Sequence, residues 1–318
     1  MRLRTEHAGC FTPVEAEVTP GAHVPPYAVH RPHGSVAGRC EVFLFRGDLS
    51  EVCVVKFNVL GRLEVIGDAG DCVPSAPKQR QLLVLLLTNA NRVTSTETIT
   101  SELWSGSPPA RLATTIQTYV YQLRRRLVGD DWKAMDLIAT CPSGYLIRAD
   151  VENIDMYRFE QAVQRARTCL AMDPENALQL LSQAQPMWRG AAFADVPRGP
   201  LLQAHAARLE EFRMEALELW IEAGLRSGRH RELVAEITSL ILLYPFNEQL
   251  HGQLMRALAM GGRRREALEV YQRLRRTLQR DLGVEPTRAL KEIQQRVLMD
   301  NFPSLSCHPD ARVGPRPA

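Results

Sequence analysis

Residues 113–127 read ATTIQTYVYQLRRRL. Ile116, Val120, Leu123 and Leu127 recur at steps of four, three and four, which draws one apolar stripe down a helix. The opposite face carries Thr114, Thr118, Tyr121, Gln122 and Arg125, flanked by Thr115, Arg124 and Arg126. No acidic residue interrupts the run between Arg111 and Arg126. Hydroxyls, an amide and guanidinium groups on one face, with no carboxylate to repel phosphate, suit the major groove of DNA. The plainer reading is a surface helix whose arginines complement the negative end of its own dipole. The flanking sequence decides between the two.

Upstream, Val54, Val55, Phe57, Val59 and Leu60 predict a strand, Gly61-Arg62 a turn, and Leu63 to Ile66 the partner strand. Gly67 to Gly70 predicts another turn and Cys72-Val73 a third short strand. Pro77 opens a helix from Lys78 to Asn89 whose leucines (Leu82, Leu83, Leu85, Leu86, Leu87) bury most of its circumference. Thr94 or Ser95, with Glu97 following, caps a second helix that runs to Trp104. Downstream, Gly129-Asp130-Asp131 ends the 113–127 helix. Leu137–Thr140 and Tyr145–Ile147 flank Cys141-Pro142-Ser143-Gly144, the pattern of a β-hairpin. The order sheet, helix, helix, helix, hairpin presents the third helix outward with a wing beside it, and Arg148 and Thr140 lie within reach of phosphate or sugar. In that setting the groove reading prevails.

The runs FNVLGRLEV, PKQRQLLVLLL, the ELW closing the second helix, TIQTYVYQLRRRL and SGYLI together resemble the DNA-binding domain of the Streptomyces antibiotic regulatory protein family. That domain is similar to the OmpR/PhoB-type winged helix. The resemblance covers about residues 54–150 and implies that the third helix reads the major groove. The long segment before residue 54 lies outside the usual domain.

From Asn153 onwards the period is helical almost throughout. Ile154, Tyr157, Phe159, Val163, Ala166 and Leu170 predict one helix; Asp173-Pro174 caps and opens the next, towards Trp188. Gly190–Pro200 predicts a loop, and Leu201 to about Arg226 a long helix with Leu209, Phe212, Ala216, Leu219 and Trp220 inward. Gly228 and Gly262 lie 34 residues apart, as do Trp220 and Leu254, Leu233 and Ala267, Ile237 and Tyr271, and Leu240 and Leu274. That period, with Tyr244-Pro245 closing one unit, is the tetratricopeptide pattern of paired antiparallel helices, which stack and leave a concave groove. The groove either takes another polypeptide or is filled by the chain's own helices. Phe159-Glu160, Arg208-Leu209-Glu210-Glu211 and EALEVYQRLRRTLQRDLGVEPTRAL resemble the bacterial transcriptional activation domain that follows the winged helix in the same family, over about residues 151–300.

Composition bounds the rest. A chain of 318 residues holds two domains, and a formal charge of +3 argues neither for nor against nucleic acid. Seven scattered cysteines with no C-x-x-C pair argue against a zinc site or a disulfide framework and fit a reducing cytoplasm. No apolar run is long enough to span a membrane, and none follows Arg2 and Arg4 to make a secretory signal. Residues 1–53, broken by Pro13, Pro20, Pro25, Pro26 and Pro32, are expected to be a flexible extension, or sequence translated upstream of the natural start. Val42–Phe45 is one candidate strand there, and His30 and His33, a two-ligand pair flanked by proline, read as incidental rather than as a metal site. Residues 301–318 are expected to be a loose tail. No phosphate loop, dinucleotide fingerprint, zinc-protease or serine-hydrolase motif occurs, so neither an enzyme nor a cofactor is expected. Glu210-Glu211 and the arginine runs at 263–265 and 273–276 read as solvated helix faces.

The expected protein is mainly α with a small β part. A winged helix-turn-helix over 54–150 precedes an all-α, tetratricopeptide-like domain over 151–300, and the winged helix is expected to complete its core and melt on its own. The expected function is sequence-specific activation of transcription in the cytoplasm. By the resemblance, the partners are direct repeats in the promoters of an antibiotic gene cluster, RNA polymerase holoenzyme, and further copies of the chain on DNA. Thr115, Thr118, Tyr121 and Gln122 are candidates for base edges. Thr114, Arg111, Arg124, Arg125 and Arg126 are candidates for phosphate or guanine, with Lys78, Arg80 and Arg148 as further phosphate candidates. The rival readings are a tetratricopeptide-type scaffold whose winged helix binds protein, and an enzyme regulated by DNA. The acid-free, arginine-bearing helix argues against the first and the lack of any catalytic motif against the second.

Overall fold

A computed structural model describes residues 55–67, 70–128 and 137–299. The His30–His33 pair, the run Val42–Phe45, the Gly129-Asp130-Asp131 stop and both terminal segments lie outside the described residues. β1 (Lys56–Asn58) pairs antiparallel with β2 (Glu64–Gly67), Phe57 opposite Val65, and both side chains are buried. β3 is Gly70–Asp71 rather than Cys72-Val73. Cys72 N–H still reaches the Val65 carbonyl at 2.8 Å, but Val73 N–H bonds the Asp71 side chain at 2.9 Å, so the ladder stops there.

α1 (Pro77–Thr88) buries every residue from Gln81 to Leu87. α2 (Thr96–Trp104) starts at Ser95, whose Oγ accepts from Thr98 N–H at 3.0 Å. α3 is Leu112–Val128, and β5 (Ile138–Cys141) and β6 (Gly144–Ile147) form the hairpin. A further strand, β4 (Thr94–Ser95), pairs with β6 and turns the hairpin into a three-stranded sheet, which the sequence pattern did not show. Gly144 permits this pairing, because a Cβ there would sit 2.0 Å from the Thr94 carbonyl oxygen.

The second half is α4 (Asp155–Cys169), α5 (Pro174–Ala184), α6 (Pro200–Arg226), α7 (His230–Leu243), α8 (Glu248–Met260), α9 (Arg264–Leu282) and α10 (Arg288–Leu298). The 34-residue period is a geometric repeat. Gly228 and Gly262 both take φ 76°, and beside them Arg229 N–H bonds Gly224 O at 2.9 Å and Arg263 N–H bonds Leu258 O at 2.8 Å. A left-handed residue at each helix junction is affordable to glycine and costly to others.

The cores divide elsewhere than expected. One buried cluster runs from Val55 to Ala223, taking in the winged helix with α4, α5 and most of α6; a second runs from Ile221 to Val297. The expectation that the winged helix borrows nothing from the second half is therefore corrected. Asp155, at the start of α4, accepts from Val59 N–H at 2.8 Å and Leu60 N–H at 3.0 Å, and Arg189 bonds the same carboxylate at 3.1 Å. Burial pushes the Asp155 carboxyl up, against the pull of those donors and of Arg189. Glu102 of α2 accepts from Gly199 N–H at 2.7 Å and Leu201 N–H at 2.8 Å, where α6 begins. The loop before α6 runs along the first sheet: Arg189 N–H bonds Leu60 O at 2.8 Å, Phe193 N–H bonds Val59 O at 3.0 Å, and the Phe193 ring is buried.

Candidate nucleic-acid interface

On α3 the apolar stripe Ile116, Val120, Leu123 and Leu127 is buried, and Trp104 of α2 stacks on Tyr119 at 6.4 Å between ring centres. The outward face carries Thr114, Thr118, Tyr121, Gln122, Arg125 and Arg126, all exposed, with Tyr121 57 % exposed. Gln117 shares that face and was missed, although its spacing from Thr114 and Tyr121 is helical and legible. No acidic residue occurs anywhere in α3. Arg111 is exposed just before the helix and Thr115 is half-buried at its flank.

Individual groups are less free than a helical wheel suggests. Thr118 Oγ1 donates to the Thr114 carbonyl at 2.8 Å and Thr115 Oγ1 to the Arg111 carbonyl at 3.0 Å, so in this rotamer each hydroxyl keeps only acceptor capacity. The Gln122 side-chain carbonyl accepts from the Gln79 amide of α1, which leaves the Gln122 amino group outward. The Arg125 guanidinium lies 6.0 Å from the centre of the Tyr121 ring.

Three of the expected phosphate contacts are engaged inside the fold. Arg124 donates from Nε to the Ile138 carbonyl at 2.8 Å and from Nη2 to Thr140 Oγ1 at 2.9 Å, tying α3 to the wing; partial burial lowers its pKa. Lys78 donates to the Leu103 carbonyl at the end of α2 and to Gln81 Oε1 at 3.3 Å. Arg80 pairs with Asp195 at 2.9 Å and reaches the Pro74 carbonyl at 2.7 Å. In this structure Arg124, Lys78 and Arg80 neutralise or cap groups of the protein itself, which sets them apart from the exposed candidates. Thr140 at the hairpin, Pro142 and Ser143 at its tip and Arg148 beyond it are exposed. Among the described residues no group of three His, Cys, Asp or Glu side chains is placed to hold a metal ion.

A carboxylate-free helix held outward by a three-helix core, with a β wing pinned beside it, defines a winged-helix DNA-binding protein. Residues 70–147 match the family described as "Transcriptional regulatory protein, C terminal", and residues 154–298 match "Bacterial transcriptional activator domain". The chain is 37 % identical over 250 residues to Regulatory protein DnrI of Streptomyces peucetius, covering 77 % of this chain and 92 % of that protein. It is 34 % identical over 260 residues to Regulatory protein AfsR of Streptomyces coelicolor, covering 80 % of this chain but 25 % of that one. A solved structure of Mycobacterium tuberculosis EmbR in complex with a low affinity phosphopeptide superposes with a TM-score of 0.73 at 30 % identity, over 78 % of this chain and 66 % of that chain. The chain belongs to the Streptomyces antibiotic regulatory protein family: it is a DNA-binding transcriptional regulator with an activator domain. No described helix is long and apolar enough to cross a membrane.

Proposed function

We propose that the chain activates the promoters of an antibiotic gene cluster by binding direct repeats through α3 and recruiting RNA polymerase holoenzyme through its helical second half. The observation that carries this reading is the outward face of α3, seven exposed polar or aromatic side chains without a carboxylate on a helix whose other side is buried. Tyr121, Gln122 and Thr118, with Gln117 and Thr115, read base edges; Arg111, Thr114, Arg125 and Arg126 meet phosphate or guanine; Arg148 and the hairpin tip reach the neighbouring backbone. Copies of the chain line up on successive repeats in the cytoplasm, at the nucleoid. The 66 % coverage of EmbR and 25 % coverage of AfsR keep the activities of those whole proteins apart from this one.

The test is a footprint on promoters neighbouring the chain's own gene, beside transcription in vitro with purified holoenzyme. Protection should recur at a fixed helical spacing, and transcript should rise with occupancy. Protection of every fragment alike, or occupancy that leaves transcript unchanged, would overturn the sequence-specific or the activating half of the proposal respectively.

A further inference from the structure

The 34-residue repeat places equivalent positions of three alternate helices on one surface. Leu219, Gln253 and Thr287 are separated by 34 residues each, as are Glu222, Arg256 and Leu290, and all six line a groove of about 610 Å³ between α6, α8 and the start of α10. Four carboxylates stand around it: Glu215, Glu218, Glu222 and Glu248. Their partners differ. Glu222 is neutralised by Arg226 at 2.8 Å and Arg256 at 2.6 Å, and Glu215 pairs with Arg167. Glu248 accepts from Thr287 N–H at 2.7 Å and its hydroxyl at 2.8 Å, contacts that carry no positive charge. Glu218 receives the Gln249 amide at 2.8 Å and makes no ion pair among the described residues. Burial pushes the Glu218 carboxyl above its ordinary range against the pull of an Asn247 side-chain hydrogen bond, and the neighbouring Glu215 and Glu211 carboxylates add to the rise.

A second observation is independent of that charge. Gln253 is 6 % exposed on the groove wall, and its amide nitrogen is spent on the Glu218 backbone carbonyl at 3.1 Å. Its Oε1 is buried and has no donor among the described residues. A buried acceptor without a partner costs stability, and a donor admitted at the groove wall would relieve that cost. We infer that this groove binds a lysine- or arginine-bearing polypeptide segment of a partner protein, its cation meeting Glu218 and Glu248 and a donor meeting Gln253. A bare metal ion does not fit the same groups, since no three ligands among the described residues converge. Stacked helical repeats offer such concave surfaces to extended partners. The inference rests on the activation reading only in supposing that the partner belongs to transcription.

The probe is a short fluorescein-labelled peptide alternating lysine and alanine, titrated into the full chain by anisotropy, with the glutamate counterpart as control. The lysine peptide should bind and the glutamate peptide should not. Glu218→Gln should weaken the lysine peptide about tenfold, whereas Glu232→Gln, which removes one charge from the exposed side of α7, should change it less than about twofold. Gln253→Met should weaken it about threefold with little change in thermal midpoint, because the lost bond to the Glu218 carbonyl is offset by removal of an unsatisfied acceptor. No binding, or equal losses from Glu218→Gln and Glu232→Gln, overturns the proposal. So does displacement of the probe by a synthetic peptide of residues 1–50, which would make the chain its own occupant. Loss of peptide binding with footprint and transcript both intact leaves the groove assigned and removes polymerase as its partner.

Discussion

Gln122 and Thr118 show how a recognition face is set one hydrogen bond at a time. With its carbonyl held by Gln79, Gln122 offers an amino donor and suits an acceptor such as N7 or O6 of guanine or O4 of thymine. Thr118, its proton given to Thr114, offers an acceptor to the exocyclic amines of adenine or cytosine. Gln122→Ala or Thr118→Ala should each cost roughly 1–3 kcal/mol on the cognate site and relax preference at one position. Binding selections with each variant check this, and an unaltered preference for both would remove them from base reading. Arg125→Ala should weaken all sequences about equally and lower the salt slope by about one, as a phosphate contact does. Arg124 acts at one remove. Arg124→Ala frees the hairpin from α3, so amide exchange in β5 should quicken and affinity fall, with base preference retained and partly restored by Arg124→Lys. A changed preference would return Arg124 to the DNA-contacting set.

At the scale of elements, α3 is the junction of two requirements, since the helix that faces outward also closes a core. Leu123 is wholly buried in the cluster that extends through α4 and α5 to Ala223. Leu123→Asp buries a carboxylate without a partner, at several kcal/mol against a total stability of about 5–15 kcal/mol. Hydrogen exchange on the full chain should then show α1–α3 and α4–α5 losing protection together, contrary to the separate melting that the sequence suggested. Retained protection in α4 and α5 would mean that the Asp155 and Glu102 contacts do not couple them. The second cluster, from Ile221 to Val297, meets the first along α6 and should outlast it.

The whole molecule carries an acid sensitivity from His251, which is buried, and His205, which is half-buried. Burial holds both His205 and His251 below the usual imidazole range, for His251 against the pull of the Asn247 carbonyl and Glu248, and for His205 with Arg208 adding to the effect. The unfolded chain therefore binds those protons more tightly. Stability is complete above the unfolded pKa of about 6.5 and declines as pH falls below it towards the folded values. Glu222, held below its ordinary range by Arg256 and Arg226 despite its burial, adds a loss at lower pH, as pH falls through its folded pKa. Between about pH 7.5 and 5.5 the thermal midpoint of the native chain should drop relative to that of the double variant His205→Gln, His251→Gln, since the raised Asp155 and Glu218 carboxyls act the opposite way in both. An unchanged slope in the double variant would assign the sensitivity to other groups.

The periodicity alone determined much of this protein. The 113–127 stripe, the proline opening α1, the serine cap of α2, the hairpin and the 34-residue repeat are local or strictly periodic features. Backbone geometry and burial translate them almost directly into elements. The outward face of α3, Gln117 included, was legible for the same reason. Tertiary structure decided what those elements touch. Nothing in the spacing of Asp155 and Val59, or of Glu102 and Gly199, announces that buried carboxylates join the two halves; each bond is a long-range answer to an unpaired backbone N–H. The fates of Arg124, Lys78 and Arg80 were hidden likewise. A cation looks the same in sequence whether it faces phosphate or caps a carbonyl, and only the packing around it selects one partner. The groove follows the same rule: the repeat period laid three helices side by side, and among the described residues the fold left Glu218 without a cation and Gln253 Oε1 without a donor between them.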